Sequence, residues 1–361
     1  LFSGSYTRED SMKAFLEERG FEVVAIDNDP AHGDPAHDFT APAFHHALRQ
    51  RVASGEFYAI WAAPPCSTFS VSRFFKARKQ RRHERGRSGD DGPPPVRKRR
   101  CPRGLTPPPP GHEAELLNAN SIVDLLCDLL TAAHDAGSQF IIEQPADRGD
   151  RSVQHTYMFA DHAPLWIYPN IVALGEHAGC GKCTFAMCML GARYQKYTTL
   201  MYTPPLAPWL NDWDNWRCSH SSHEEIAGGV QDETGQWPSR RSAAYPSAMN
   251  QAIAQFLHAA RQHALSTLPP PPPPPPCAAF STCDIFISQV GTGAMPIDCG
   301  HRGCKRARDE PHPPPPPATV HIVPIHAGAR TLACVPAGGG LFSTVVEGAN
   351  GAARKAATAA A

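Results

Sequence analysis

The segment 61–70, WAAPPCSTFS, contains the residue best suited to covalent chemistry. Cys66 follows two prolines, which fix the chain direction and leave the thiol on a rigid loop directly after an apolar run. A thiolate is the nucleophile required for attack on an electron-poor ring carbon, and such a thiol needs partial exposure and a positive environment. Because a lone cysteine is usually a small buried hydrophobic residue, the prediction depends on the Pro-Pro-Cys context.

Acidic residues follow other apolar runs of the chain. Glu143 comes directly after QFII at 139–142, and Asp27 comes directly after FEVVAI at 21–26. In a doubly wound parallel sheet, an acid directly after the second strand commonly accepts hydrogen bonds from ribose hydroxyls. Asp38 and Phe39 are an acid and an aromatic suited to the amino group and the face of an adenine. The alternative is that each acid is a cap or turn residue.

The elements that position these residues alternate between helix and strand. A helical pattern over 10–19 precedes the apolar run 21–26, and a second apolar run covers 57–63. A long amphipathic helix is predicted over 113–136, before the run 139–142. This alternation predicts an α/β fold, a mostly parallel sheet with helices on both faces, and a site at the carboxyl edge of the sheet.

Composition divides the chain into a folded part and a tail. Of the 38 prolines, eight form one uninterrupted run directly after Leu268. We expect a folded unit over 1–268, interrupted by a basic, proline-rich insert at 74–110, and a largely disordered tail over 269–361. Two short apolar stretches in the tail, 279–290 and 319–335, are predicted to be isolated strands at most.

Positive charge is concentrated in the insert. The chain has no net charge, yet residues 73–103 hold thirteen Lys or Arg and three acids, a net +10, so the rest carries −10. This asymmetry favours a polyanionic partner, with a solvated charge run, a nuclear-import signal at 97–100 or an insertion without a role as alternatives. The candidate phosphate contacts are Arg78, Lys79, Arg81, Arg82, Arg97, Lys98, Arg99 and Arg100.

Twelve cysteines are scattered along the chain, and no secretory signal is recognisable. We therefore expect reduced thiols and a nuclear or cytoplasmic protein that is not secreted. The sequence contains no run of about twenty apolar residues, so we expect no membrane span. The first residue is Leu1 rather than Met, as in a fragment or a processed chain.

Two groups of cysteine and histidine have spacings typical of zinc ligands. The first is C-x-x-C at 180–183 with Cys188, and the second is C-x-H-x-x-H at 218–223. Buried thiols and a surface histidine pair are the favoured interpretation, so no metal is expected. The alternative is a zinc site drawn from Cys180, Cys183, Cys218 and His220.

Taken in order, these motifs resemble those of DNA (cytosine-5) methyltransferases. The matching segments are LFSG at 1–4, Asp27, Asp38, PPCSTFS at 64–70, IEQP at 142–145, LGARYQKYTT at 190–199 and AYPSAMNQAIA at 244–254. The resemblance covers about residues 1–255, and it is closest to compact phage, algal or mobile-element members of the family. It implies a Rossmann-like class I fold that depends on S-adenosylmethionine, with DNA as substrate.

The resemblance also implies roles for individual residues. Cys66 would add to C6 of a flipped cytosine, and Glu143 would hold the N3 and N4 edge and donate a proton. Arg193 or Lys196 would steady the base or the loop. The residues that would line the cofactor pocket are Phe2, Ser3, Gly4, Ser5, Asp27, Asp38, Phe39 and Pro64. Because Tyr6 stands where the family has a second glycine, a catalytically silent DNA- or nucleotide-binding relative, carried for example by a mobile element, is the alternative.

Overall fold

The structure, a computed structural model, describes residues 1–2, 7–30, 33–75, 93–225, 242 and 244–267, together with the backbone of four strands after residue 318. It is an α/β structure in which helices pack on a mixed sheet. The predicted α/β class is therefore confirmed.

The helices follow the apolar periodicity of the sequence. They are α1 (Met12–Glu17), α2 (Pro42–Ala53), α3 (Glu113–Asp135), α4 (Pro169–His177), α5 (Ala207–Leu210) and α6 (Ser247–Thr267). The Ser11 side chain accepts a hydrogen bond from the Ala14 amide at 3.1 Å and thereby caps α1. Gly137, at φ +83°, follows α3 in the left-handed conformation that glycine adopts without strain.

Among the residues described there are nine strands: β1 (Glu22–Val23), β2 (Phe57–Ala62), β3 (Gln139–Pro145), β4 (Gly181–Ala186), β5 (Tyr197–Tyr202), β6 (Thr319–His321), β7 (Leu332–Ala337), β8 (Leu341–Glu347) and β9 (Ala353–Arg354). Six of them form the main sheet, in the order β1-β6-β2-β3-β5-β4. Strand β2 is parallel to β3, whereas β5 is antiparallel to both β3 and β4. The sheet is thus mixed: β1, β6, β2 and β3 are parallel to their neighbours in that order, and β5 is antiparallel to the strands on either side of it.

Four of the described strands belong to the tail. Strand β6 lies between β1 and β2 and is parallel to both, and β7, β8 and β9 form a separate antiparallel sheet. The strand predicted at 21–26 is only two residues long, since Glu22 pairs with Thr319 and Val23 with Val320. The predicted stretch 279–290 lies outside the described residues.

Strand β3 runs three residues further than the sequence predicts. Beyond the end of its partner β2, it stays paired with β5, where Glu143 lies opposite Leu200 and Pro145 opposite Thr198. Glu143 is therefore a strand residue, and the antiparallel ladder fixes its backbone. The parallel ladder with β2 ends at the pair of Ala62 and Ile142, so Glu143 comes directly after it.

Side chains of the central strands alternate between two hydrophobic layers. Trp61 and Ile141 belong to the layer that contains residues of α1 and α6. Ile60 and Ile142 belong to the opposite layer, which contains residues of α2, α3 and α4. By length and composition alone α3 could cross a membrane, but its buried residues pack in this second layer as those of a core helix do.

The second half of the predicted low-complexity insert is packed against the domain. Val96 and Arg97 are buried, and the Leu105 amide donates a hydrogen bond to the Val96 carbonyl at 2.9 Å. Residues of the predicted insert after 92 thus contribute to the packing of the domain. Residues 76–92 lie outside the described part of the chain.

Candidate functional site

Cys66 lies on a loop that begins where β2 ends. Pro64 is buried and Cys66 is half-buried, whereas Pro65 between them is exposed. The Phe69 amide donates to the Cys66 carbonyl at 2.9 Å and closes a turn, and the Gln144 side-chain amide donates to the Pro64 carbonyl. The thiol is therefore carried by a loop that is hydrogen-bonded to the neighbouring strand β3.

Arg73 and Arg97 contact the residues that follow Cys66 in the loop. The Arg73 Nε donates to the Ser67 carbonyl at 2.6 Å. Arg97 donates to Thr68 Oγ1 through Nε at 3.2 Å and Nη2 at 3.1 Å, and its guanidinium lies over the Phe69 ring, 4.0 Å from the centroid. Hydrogen bonds to Ser67 and Thr68 and a cation–π contact with Phe69 thus restrict the conformations of this loop.

Glu143 is the acid of the site, and it is only 5% exposed. Its Oε2 accepts a hydrogen bond from the Tyr245 hydroxyl at 2.9 Å, and its Oε1 accepts one from the Thr198 hydroxyl. Lys196 Nζ lies 3.8 Å from Oε1 and donates to the Ser242 carbonyl at 3.2 Å. Both oxygens of this buried carboxylate thus accept hydrogen bonds, from two donors that lie far apart in the chain.

The electrostatics connect Cys66 to this carboxylate. Burial raises the pKa of the Cys66 thiol, the positive charge of Lys196 lowers it, and the negative charge of Glu143 raises it. Burial also raises the pKa of Tyr245 well above its usual value, so its hydroxyl keeps its proton and remains a donor. Because its pKa is raised, Cys66 keeps its proton at neutral pH, under the influence of both Glu143 and Lys196.

The structure separates the two basic residues that the sequence places in this site. Lys196 is near Glu143, whereas the Arg193 side chain is exposed and pairs with Glu224 at 2.7 Å and Glu225 at 3.2 Å. Of the two, Lys196 alone belongs to the Cys66 and Glu143 group within the described residues.

The predicted cofactor residues are brought together only in part. Phe2 and Phe39 are in edge contact with centroids 5.1 Å apart, but Phe39 is a core residue with 4% exposure, so its ring is unsuited to stacking on an adenine. Asp27 Oδ1 accepts from the Asp29 amide at 2.8 Å, and Asp38 Oδ1 accepts from the Thr40 amide at 2.9 Å. Each acid thus takes part in a local turn. Ser3, Gly4 and Ser5 lie outside the described residues.

The predicted phosphate contacts at 97–100 differ in exposure, and three of them have partners within the protein. Arg97 is 1% exposed, and Nη1 donates to protein oxygens at 2.8 Å. Lys98 pairs with an acid at 3.0 Å, and Arg99 Nη1 donates to both oxygens of Asp147 at 2.9 Å. Arg100 is exposed. The other candidates lie outside the described residues: Arg78, Lys79, Arg81 and Arg82.

The zinc set considered from the sequence does not assemble. Cys183 packs in the layer with α1 and α6, whereas Cys180 packs against the opposite layer. Burial raises the pKa of Cys180 to about 11. The cysteines and histidines that do come together are Cys188, Cys218, His220 and His223.

Sequence reasoning missed two donors to Glu143. The matching segments 244–254 and 190–199 contain Tyr245 and Thr198, but the resemblance assigns neither residue a role. Both are far from Glu143 in the chain but adjacent to it in space. The Tyr-Pro pair directly before a long helix was the available signal for Tyr245, because it fixes the side chain at the start of that helix.

Comparisons of the chain with protein-family models, with characterised proteins and with solved structures find no match. The functional assignment therefore depends on the geometry of the site and on the ordered motifs of the sequence.

Proposed function

We propose that this protein is an S-adenosylmethionine-dependent methyltransferase of the Rossmann-like class I fold, which methylates C5 of cytosine in DNA through a covalent adduct with Cys66. One observation carries the proposal. Cys66 follows the carboxyl end of β2, and Glu143 lies on the adjacent parallel strand directly after the shared ladder, with Lys196 beside it. Ligands of α/β sheets bind at this edge.

The residues of the site divide the reaction between them. Cys66 Sγ forms a bond to C6 of the cytosine, while its proton passes to Glu143 and from there to N3, which receives the displaced electron pair. S-adenosylmethionine, when bound, supplies an electrophilic methyl group to C5 and leaves as a thioether. The C5 proton then goes to solvent, the bond from sulfur to C6 breaks, and the N3 proton returns through Glu143 to Cys66.

A protonated Cys66 thiol is consistent with these steps. A buried thiol with a raised pKa carries its own proton, and Glu143 is the neighbouring group that accepts it. Thr198 and Tyr245 hold the carboxylate in one orientation, so it meets the edge of a base without first reorganising. Lys196 stabilises the negative charge that develops on sulfur.

The remaining parts of the proposal concern cofactor and DNA. Phe2, Asp27 and Asp38 would hold S-adenosylmethionine, and Phe39 would support them from the core. The target cytosine would leave the duplex to reach Cys66, at a cost of a few kcal/mol of unstacking. Phosphate contacts would come from Arg100 and the basic residues of 76–92.

Trapping on DNA that contains 5-fluorocytosine tests the covalent step. Fluorine at C5 cannot leave as a cation, so the adduct persists after methyl transfer and migrates as a protein–DNA complex in a denaturing gel. We expect an adduct with the native chain and with Cys101→Ser, whose thiol is also half-buried, but none with Cys66→Ser. An adduct that survives in Cys66→Ser, or none with any variant across varied sequences, would overturn the proposal.

A second candidate is a DNA- or nucleotide-binding protein of the same fold without turnover. The local turns that engage Asp27 and Asp38 favour this candidate, because they occupy oxygens that a ribose or adenine would use. Equilibrium binding of labelled S-adenosylmethionine and of duplex DNA separates the two. Binding of DNA without methyl transfer or trapping would support the silent protein.

A further inference from the structure

A second group of reactive side chains includes neither Cys66 nor Glu143. Cys188 is in the 3-10 turn Met187–Leu190 that follows β4, and the other three members are Cys218, His220 and His223. Their ligand atoms all lie within 4.8 Å of one another. We call the segment 216–225 the Cys/His loop.

Cys218 lies at the distances expected between two zinc ligands from both histidines of the group. Zinc binds sulfur at about 2.3 Å and imidazole nitrogen at about 2.0–2.1 Å, and tetrahedral angles then place two ligand atoms roughly 3.3–3.8 Å apart. Cys218 Sγ lies 3.4 Å from His223 Nε2 and 3.7 Å from His220 Nδ1. The widest pair would need to close by about 1 Å to reach the tetrahedral range.

We propose that Cys188, Cys218, His220 and His223 form a structural zinc site. Four protein ligands fill a tetrahedral sphere and leave no position for a substrate, which is typical of structural rather than catalytic zinc. Cys188 is buried, Cys218 and His223 are half-buried and His220 is exposed. The metal would therefore lie at the surface with one side in the protein.

The ligands come from two parts of the chain that the metal would join. The Cys/His loop is already attached to the β4–β5 hairpin, since the Cys218 amide donates to the Tyr197 hydroxyl at 3.1 Å and the Glu225 amide donates to the Arg193 carbonyl at 3.0 Å. A metal bond to Cys188 would fix the middle of the loop as well. The loop supplies Glu224 and Glu225 to Arg193, three residues before Lys196.

Metal analysis of the full chain, purified under reducing conditions, tests the site. We expect about one zinc per chain. Replacement by cobalt should give the intense visible bands of a tetrahedral site with thiolate ligands. Cys218→Ser and His223→Ala should each lose the metal, whereas Cys180→Ser, at a half-buried thiol outside the group, should retain it.

A measurement on the unaltered chain keeps the test decisive if a variant fails to fold. Removal of metal by a chelator and titration with zinc should restore stoichiometric binding and raise the protection of the Cys/His loop from proteolysis. Failure to take up zinc in the reduced protein, or retention of zinc in both Cys218→Ser and His223→Ala, would overturn the site. Loss of zinc in Cys180→Ser, or a disulfide between Cys188 and Cys218 in place of the metal, would do the same.

Discussion

Cys66 and Cys218 are both half-buried, yet their environments change the acidity of the thiol in opposite directions. Burial raises the pKa of Cys66, and the opposing effect of Lys196 is smaller. Burial acts in the same direction on Cys218, but hydrogen bonds from Gln195 and His220 outweigh it and bring the pKa to about 6. Exposure alone therefore does not determine which thiol is ionised.

The comparison separates acidity from catalytic position. The more acidic thiol lies among metal-ligand side chains at the surface, whereas the less acidic one lies at the carboxyl end of a parallel strand pair beside a buried carboxylate. A thiol that keeps its proton until the target nucleobase binds is protected from oxidants and alkylating agents. We infer that Cys66 is suited to nucleophilic attack on a bound substrate, and that Cys218 is suited to metal binding.

The largest expected effect comes from removing the nucleophile. Cys66→Ser should lower methyl transfer to DNA by at least about a thousandfold, because a serine hydroxyl at the same place is far less nucleophilic toward C6. Labelled methyl groups incorporated into duplex DNA measure the rate, and Cys101→Ser serves as the matched control. Binding of S-adenosylmethionine by Cys66→Ser should be unchanged. Loss of cofactor binding together with transfer would mean that Cys66 is structural.

Changes at the carboxylate come next. Glu143→Gln should lower the transfer rate by roughly a hundredfold to ten-thousandfold, since an amide cannot carry the proton between Cys66 and N3. Tyr245→Phe removes one hydrogen bond to the same group and should cost about tenfold to a hundredfold. Single-turnover rates measure both. Equal losses in the two variants would contradict a proton-carrying role for Glu143 and leave an orienting role.

Much of the fold was predictable because its signals are local. Helix α3 and strands β2 and β3 each have an apolar pattern within one segment, and each lies within a few residues of its predicted bounds. The alternation of helix and strand then predicts the α/β class. The antiparallel pairing of β5 with β3 was not predictable, since it depends on contacts between segments more than fifty residues apart.

The residues of the candidate site also divide into those with a local signal in the sequence and those that depend on distant contacts. Cys66 and Glu143 follow apolar runs, so the sequence places both at the edge of a sheet. Tyr245 is about a hundred residues from Glu143 along the chain, and no local pattern joins them. Arg97 belongs to the run RKRR, which is typical of an exposed segment, but hydrogen bonds to Thr68 and stacking on an aromatic ring hold it in the interior.

Arg97 contacts the Cys66 loop, and its side-chain hydrogen bonds among the described residues go to Thr68, Pro102 and Asn120 rather than to the Cys/His loop, so its removal should affect the two regions differently. Arg97→Ala should lower the free energy of unfolding by about 2–3 kcal/mol, because several hydrogen bonds are lost and Thr68 is left unsatisfied. Urea denaturation measures this. Alkylation of Cys66 should accelerate in this variant while that of Cys218 stays the same. Equal acceleration at both thiols would show general loosening instead.

The smallest expected effect is the difference in alkylation between the two thiols of the metal-free native chain. At pH 7 a thiol with a pKa of about 6 is roughly 90% ionised, whereas an ordinary thiol is a few per cent ionised and a raised pKa lowers that fraction further. Iodoacetamide should therefore modify Cys218 at least about tenfold faster than Cys66, as read by peptide mass spectrometry.

The pH dependence of these rates distinguishes acidity from access. The rate at Cys218 should level off above about pH 7, because its thiol is then fully ionised. The rate at Cys66 should still rise beyond pH 8.5, the ordinary value for cysteine, because its pKa is raised. Added zinc should slow only Cys218. Parallel pH profiles at the two residues would contradict the opposite environments, since simple differences in exposure change the rate without moving its midpoint.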